Sequence, residues 1–175
     1  MSLARHFSHR LEIMAWPASS PYVIGVGGTK VATKADGTFS KETAWTGSGG
    51  GVSAYEKEHD FQNAYSISKA GGMRAIPDVS YNADPSSGFS IERGGKWYVV
   101  GVTSAGAPQW AAIAALGTGI NINNLYSDKG GNNNAKYFRD ITAGSNGDCG
   151  YYCSARKHYD YITGLGSPIT DNFKV

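Results

Sequence analysis

The sequence predicts an α/β layered fold, and three observations carry that expectation. Short apolar runs bounded by turn residues recur along the chain. One stretch near its middle forms a helix that is apolar nearly all round. Glycine is the compositional outlier, at 24 of 175 residues, against a usual share of about 7%. The glycines follow no period, which excludes collagen-like and simple repeats and points to tight turns and close backbone approaches.

The elements follow in order. Tyr22-Val23-Ile24-Gly25-Val26 comes after the turn residues Pro17 to Pro21 and reads as a buried strand. Lys30 to Thr33 and Thr38 to Ser40 flank Ala35-Asp36-Gly37, the chemistry of a hairpin turn. Gly47 to Gly51 is a glycine-rich loop, and Ser53 to Ala70 reads as irregular or partly helical. Ala75 to Val79 is a further strand. Phe89 to Glu92 and Trp97 to Val100 are strands joined by Arg93-Gly94-Gly95-Lys96, a hairpin signal. From Val99 to Leu116 a strand runs through a turn into the apolar helix. Such a helix is expected inside the protein, and Pro108 places its start near Ser104 if the proline lies in the first turn. Asn121 to Ser127 reads as a polar turn or short helix, Gly130 to Asn134 as a loop, and Asp140 to Gly164 as loop-rich. Residues 16–175 form one unit without a linker, preceded by an atypical segment over 1–15, and the end from Thr170 is expected to fray.

Composition excludes several functions. Hydrophobic residues make up 41%, charged residues 17%, and the net charge is +2. This is a globular chain with no basic stripe for nucleic acid. No run of 18 apolar residues is present to span a membrane. Met1 to Ala15 lacks the apolar stretch of a signal peptide, so the protein is either cytosolic or begins upstream of this sequence. The abundance of tyrosine favours an extracellular protein. Cys149 and Cys153 lack the partners a zinc site needs, and they are spaced to close a short loop disulfide.

Ser104, between a buried strand and a helix start, has two readings. It caps the helix, or it is a nucleophile beside unpaired N–H groups that favour a developing oxyanion. Its neighbours Ala105, Gly106 and Ala107 are small enough to admit a substrate backbone.

Gly101-Val102-Thr103-Ser104-Ala105-Gly106-Ala107-Pro108 resembles the serine box of the sedolisin (serine-carboxyl) peptidases. Further blocks resemble that family in order. They are Trp16 to Val23 with Val26 to Thr29, Ser48 to Ser53, Arg74 to Ser80 with Ala83 to Pro85, Asp140 to Gly147, and Tyr159 to Pro168. The resemblance implies a subtilisin-like layered fold with a mainly parallel sheet, of which this chain is the C-terminal half only. It implies a secreted, acid-active endopeptidase with Ser104 as nucleophile, acting on protein or peptide substrates. The family's glutamate and aspartate, in an E-x-x-x-D spacing, and its oxyanion aspartate are expected upstream. The expected partners are therefore the missing N-terminal half or a propeptide, with no nucleic acid and no membrane.

Two departures stand out. Val102 replaces a glycine of the serine box, and 1–15 does not resemble the family segment that carries the oxyanion aspartate. Glu56 and Asp60 match the E-x-x-x-D spacing but at the wrong place in the chain, so they read as a solvated charge cluster, as does His59. The resemblance also implies a calcium site of oxygen ligands. These are the side chains of Asp140 and Asp160 and the carbonyls of Ile141, Arg156 and His158, where Arg156 brings an unexpected positive charge. The rival reading is an inert calcium-binding fragment or pseudo-peptidase.

Overall fold

The computed structural model describes residues 16–116, 119–129 and 134–173. Three strands form the sheet on which the rest is built. β1 (Val26–Thr33) pairs antiparallel with β2 (Phe39–Ala44) through the foreseen Asp36-Gly37 turn. In that turn the Asp36 carboxylate accepts the Thr38 N–H at 2.9 Å and the Thr38 hydroxyl at 2.6 Å. After β3 (Gly51–Lys57), α1 (Asp60–Tyr65) and β4 (Met73–Ile76), the chain enters β5 (Val79–Asn82). β5 lies parallel to β1 with Val26 opposite Val79, giving the order β2-β1-β5.

Beyond it, β6 (Phe89–Arg93) and β7 (Lys96–Val100) form the predicted hairpin, and α2 (Thr103–Ala115) follows. The short α3 (Ile122–Asn124) runs into a wider helical turn over Leu125–Lys129. α4 (Asn134–Tyr137) leads into β8 (Phe138–Arg139), which pairs with β9 (Ser167–Pro168) across the long loop between them. Buried Glu42 ties these parts together. It accepts the hydroxyls of Thr29 at 2.5 Å and Ser167 at 2.7 Å, and pairs with Arg139 at 3.3 Å.

The α/β class holds, with differences in detail. Parallel pairing is confined to β1 and β5 among the described residues. The strands near Ile76 and Trp97 sit in two separate antiparallel pairs, β3-β4 and β6-β7. β6 and β7 need only a tight turn to pair, whereas parallel neighbours need long crossovers; β3 and β4 pair across the connection that holds α1. The strand expected at Tyr22 begins only at Val26, and Tyr22 is exposed. Thr170–Phe173 form a short helical turn, with Phe173 buried against Trp110, Tyr137 and Phe138.

α2 departs most from expectation. Gly106, Trp110 and Ile113 are buried. A Cβ on Gly106 would stand 2.9 Å from the Tyr81 Cβ and 3.1 Å from a Val26 methyl, so the absence of a side chain sets how closely the helix meets the sheet. Trp110 donates its indole N–H to the Ser80 carbonyl at 3.1 Å and stacks on Phe138. The opposite stripe, residues 104, 107, 108, 111, 112 and 115, is exposed, as is Leu116. A helix apolar on all faces needs packing on more than one side, and the described residues supply one. Pro108 also lies beyond the first turn, as the sixth residue of the helix. It has no N–H to offer the Ser104 carbonyl four residues back.

Beneath the sheet lies a buried polar group. Arg74 and Asp78, both wholly buried, form a two-pronged pair at 2.7 and 2.6 Å. Burial works against the Arg74 charge, and the adjoining Asp78 outweighs it and holds the guanidinium protonated. The Tyr126 hydroxyl and the Gly25 N–H also donate to Asp78, each at 2.7 Å, and Gln62 donates to the Tyr126 oxygen and the Ala75 carbonyl. Burial first, and then Asp78, push the Tyr126 phenol well above its ordinary range.

Candidate active and metal site

Two groups of candidate residues are separated in the fold. The first is the junction of β7 and α2. Val102 flanks the helix start with an extended backbone, φ −176° and ψ 157°, and makes no side-chain cap. That conformation suits any residue, so the valine in place of glycine brings no backbone strain. Ser104 is the second residue of the helix, and the capping role weighed for it does not arise. Its hydroxyl is exposed and meets no hydrogen-bond partner among the described residues. The Ala105 N–H folds back on the Val102 carbonyl at 2.9 Å, while the Ser104 N–H has no acceptor among the described residues. An exposed hydroxyl therefore stands beside a free backbone donor at the positive end of a helix.

β1 closes the floor of this junction. A Cβ on Gly28 would fall 2.9 Å from Ala83 and Trp45 and 3.1 Å from the Thr103 methyl. The Asp84-Pro85 turn packs on Gly101 in the same way. Asp84 is the carboxylate that this packing brings toward the junction, and it is already occupied. It accepts the Ser86 N–H at 2.8 Å and pairs with Lys30 at 3.5 Å. The Ser86 bonds first, and Lys30 after them, hold it below the usual carboxylate range. Glu56 and Asp60 do not form a carboxylate pair on one helix face. Glu56 is on β3 and Asp60 opens α1, so their four-residue spacing spans two elements. His59 precedes α1, its ring against Phe61 and Tyr22.

The second group is the loop between β8 and β9. It brings Asp140 and Asp160 to one backbone segment: the His158 N–H donates to Asp140 at 2.9 Å and the Arg156 N–H to Asp160 at 3.1 Å. Asp160 is buried and also accepts the Ile162 and Thr163 N–H groups at 2.8 Å each and the Thr163 hydroxyl at 2.9 Å. Burial raises its carboxyl above the ordinary value, against the pull of these bonds. The other Asp140 oxygen, Oδ1, is buried without a hydrogen-bond partner. Ile141 is fixed by its side chain, packed with Ala44 and Ile162. His158 takes a left-handed backbone, φ 68°.

No cationic side chain pairs with either aspartate among the described residues. Two carboxylates held on one backbone segment, one with a buried oxygen that no described residue bonds, suit a hard cation that takes oxygen ligands. The loop between them is braced by the Cys149–Cys153 disulfide, Cα atoms 5.2 Å apart, and by the Ser145–Ser154 bridge.

Sequence reasoning assigned no role to Arg74, Asp78, Tyr126 or Glu42, which organise the interior. The signal lay in Arg74 and Asp78, opposite charges four apart within an otherwise apolar segment. The atypical segment 1–15 and the Gly130 loop lie outside the described residues.

No protein-family model matches the chain. Among curated proteins it is 34% identical to Sedolisin of Pseudomonas sp. (strain 101), over 88% of this chain and 28% of that protein. It is 36% identical to Kumamolisin of Bacillus sp. (strain MN-32), over 88% of this chain and 30% of that protein. A solved structure of Pseudomonas sedolisin, a serine-carboxyl proteinase complexed with two molecules of pseudo-iodotyrostatin, aligns with a TM-score of 0.69. The identity is 32%, with 87% of this chain and 45% of that one covered. The chain thus spans under a third of the length of these curated relatives. By sequence and by fold, the chain is of the sedolisin family, matching part of the length of its members.

Proposed function

We propose that this chain carries the nucleophile of a sedolisin-type serine endopeptidase, secreted and active in acid, whose general base lies outside the described residues. The observation that carries the reading is Ser104 itself, exposed in the first turn of α2 with neither hydroxyl nor N–H engaged by any described residue. In the reaction its oxygen attacks a peptide carbonyl carbon as its proton passes to a carboxylate. The carbonyl oxygen becomes an oxyanion near the free helix N–H groups, and the amine leaves with a proton. Water then releases the acyl group. A carboxylate is a weak base toward serine at neutral pH, which is why the activity belongs to acid conditions. The exposed apolar stripe of α2 supports a partner that covers it, the N-terminal half of the same peptidase. The Cys149–Cys153 disulfide suits an oxidising, extracellular setting.

The same reading gives calcium to the β8–β9 loop, held by the Asp140 and Asp160 carboxylates and the carbonyls of Ile141, Arg156 and His158. It would tie the two ends of that loop together. One observation favours the rival, an inert calcium-binding fragment or pseudo-peptidase: no described carboxylate is bonded to Ser104.

The test is hydrolysis of a quenched internal peptide from about pH 3 to 7. The chain alone should be inactive. Supplied with the N-terminal half of a sedolisin catalytic domain, fused or as a second chain, it should cleave with an acid optimum, and Ser104→Ala should abolish this. A correctly folded but inert complex would establish the rival, and release of only N-terminal peptides would replace endopeptidase by exopeptidase action. Asp160→Ala should remove the calcium-dependent rise in melting temperature.

A further inference from the structure

Arg156 stands where a positive charge should oppose a cation. Its carbonyl belongs to the loop assigned to calcium, and its guanidinium is carried by the residue whose own N–H donates to Asp160, two residues before the N–H that donates to Asp140. Yet Asp160 receives only the Arg156 backbone N–H, with its remaining bonds coming from Ile162 and Thr163. The side chain turns toward the disulfide-closed turn instead. Its Nε–H donates to the Tyr151 carbonyl at 3.4 Å, and its Cζ lies 4.3 Å from the centre of the Tyr151 ring. That ring also holds the Lys69 ammonium, 4.1 Å from its centre. A ring face is electron-rich and attracts both cations.

Tyr151 is itself well fixed. It lies within the Gly150–Cys153 turn closed by the Cys149–Cys153 disulfide, and the Ser154 hydroxyl donates to the Gly150 carbonyl at 2.7 Å. The neighbouring Tyr152 packs on Tyr161 at 4.9 Å and donates its hydroxyl to the Lys69 carbonyl at 3.2 Å.

We infer that Tyr151 is a positioning residue for the cation site: its ring and carbonyl hold the Arg156 guanidinium off the Asp140 and Asp160 carboxylates, leaving them to a metal ion. The inference rests on the calcium reading above. Freed from Tyr151, the guanidinium is an internal competitor within reach of the same two negative charges. An exposed contact of this kind is worth about a two- to five-fold change in the competing population, and calcium affinity should fall by that factor.

The experiment is calorimetric titration of calcium chloride, at fixed ionic strength, into the full chain and its variants. Tyr151→Phe keeps the ring and should bind as the parent does. Tyr151→Leu keeps apolar bulk without the π face and should bind roughly two- to five-fold more weakly. Arg156→Gly removes the competing guanidinium, so in that background Tyr151→Leu should have no further effect on affinity. A Tyr151→Leu defect that persists without Arg156, or no defect at all, overturns the inference while calcium binding by the parent stands. Absence of binding by every protein, Arg156→Gly included, overturns the calcium reading and the inference with it. Should Tyr151→Leu not fold, Tyr151→His provides the second arm. It retains an aromatic ring of weaker face potential and should fall between the parent and full loss; affinity equal to that of Tyr151→Phe would count against the role of the ring.

Discussion

The two ends of α2's surroundings are built on opposite plans. On the inner side, Trp110 and the Arg74–Asp78 group are tied by direct hydrogen bonds and the charges are matched by two-pronged geometry, with Arg74 Nε the donor of that pair that no described residue accepts. On the outer side, Ser104 and the alanine stripe meet no described residue that could complete them. The difference separates what this length of chain does alone from what it does only in company. The interior and the aspartate loop are closed by contacts within the chain, whereas no described residue is bonded to the Ser104 hydroxyl.

The sharpest challenge to that contrast is Arg74→Ala. It strips one partner from a wholly buried pair and leaves Asp78 charged in the interior. The expected loss is about 3–5 kcal/mol in chemical denaturation. A loss below about 1 kcal/mol would mean that water or another group reaches Asp78, and that the inner side is less closed than drawn.

Next come two substitutions on one helix. Trp110→Ala on the inner face should cost roughly 3–5 kcal/mol, by cavity formation and the loss of its bond to Ser80. Ala111→Glu, one residue on and exposed, should stay within about 0.5 kcal/mol in the chain alone. It should nonetheless block reconstitution of activity by the N-terminal half. Equal costs for the two would erase the distinction between faces.

The smallest effect lies at the Asp36 turn. Hydrogen bonds from the Thr38 side chain and then its backbone hold the Asp36 carboxyl below its ordinary range. A depressed carboxyl contributes stability that is present above its unfolded value of about 3.9 and is lost as pH falls through the folded value. NMR titration should therefore find Asp36 moving up toward that ordinary value in Thr38→Val, with the rest of the chain unmoved.

How far the sequence could be read depends on the range of the interaction concerned. The Asp36-Gly37 turn and the Arg93–Lys96 turn are decided by a few adjacent residues, and both form as expected. The helix boundary at Thr103 is similarly local, although Pro108 sits deeper than the first turn. Pairing between distant strands is not local. Nothing within Val79 to Asn82 says that β1 is its parallel neighbour rather than β4, which ends three residues before it. The helix was read as wholly buried because its composition records packing on all faces, and only the inner packing lies within the described residues. Asp140, Asp160 and the Arg156–His158 segment do come together. Which way the Arg156 side chain turns depends on a tyrosine ring five residues back, and spacing cannot show that.

The indole of Trp110 has one more consequence. Buried and bonded to the Ser80 carbonyl, it sits in an apolar setting, whereas Trp16 and Trp97 are largely open to water. Its emission is therefore shifted to the blue and shielded from soluble quenchers, in contrast to theirs. With Trp16, Trp45 and Trp97 replaced by phenylalanine, the light from Trp110 becomes an optical gauge of whether the helix that bears Ser104 is seated on its sheet.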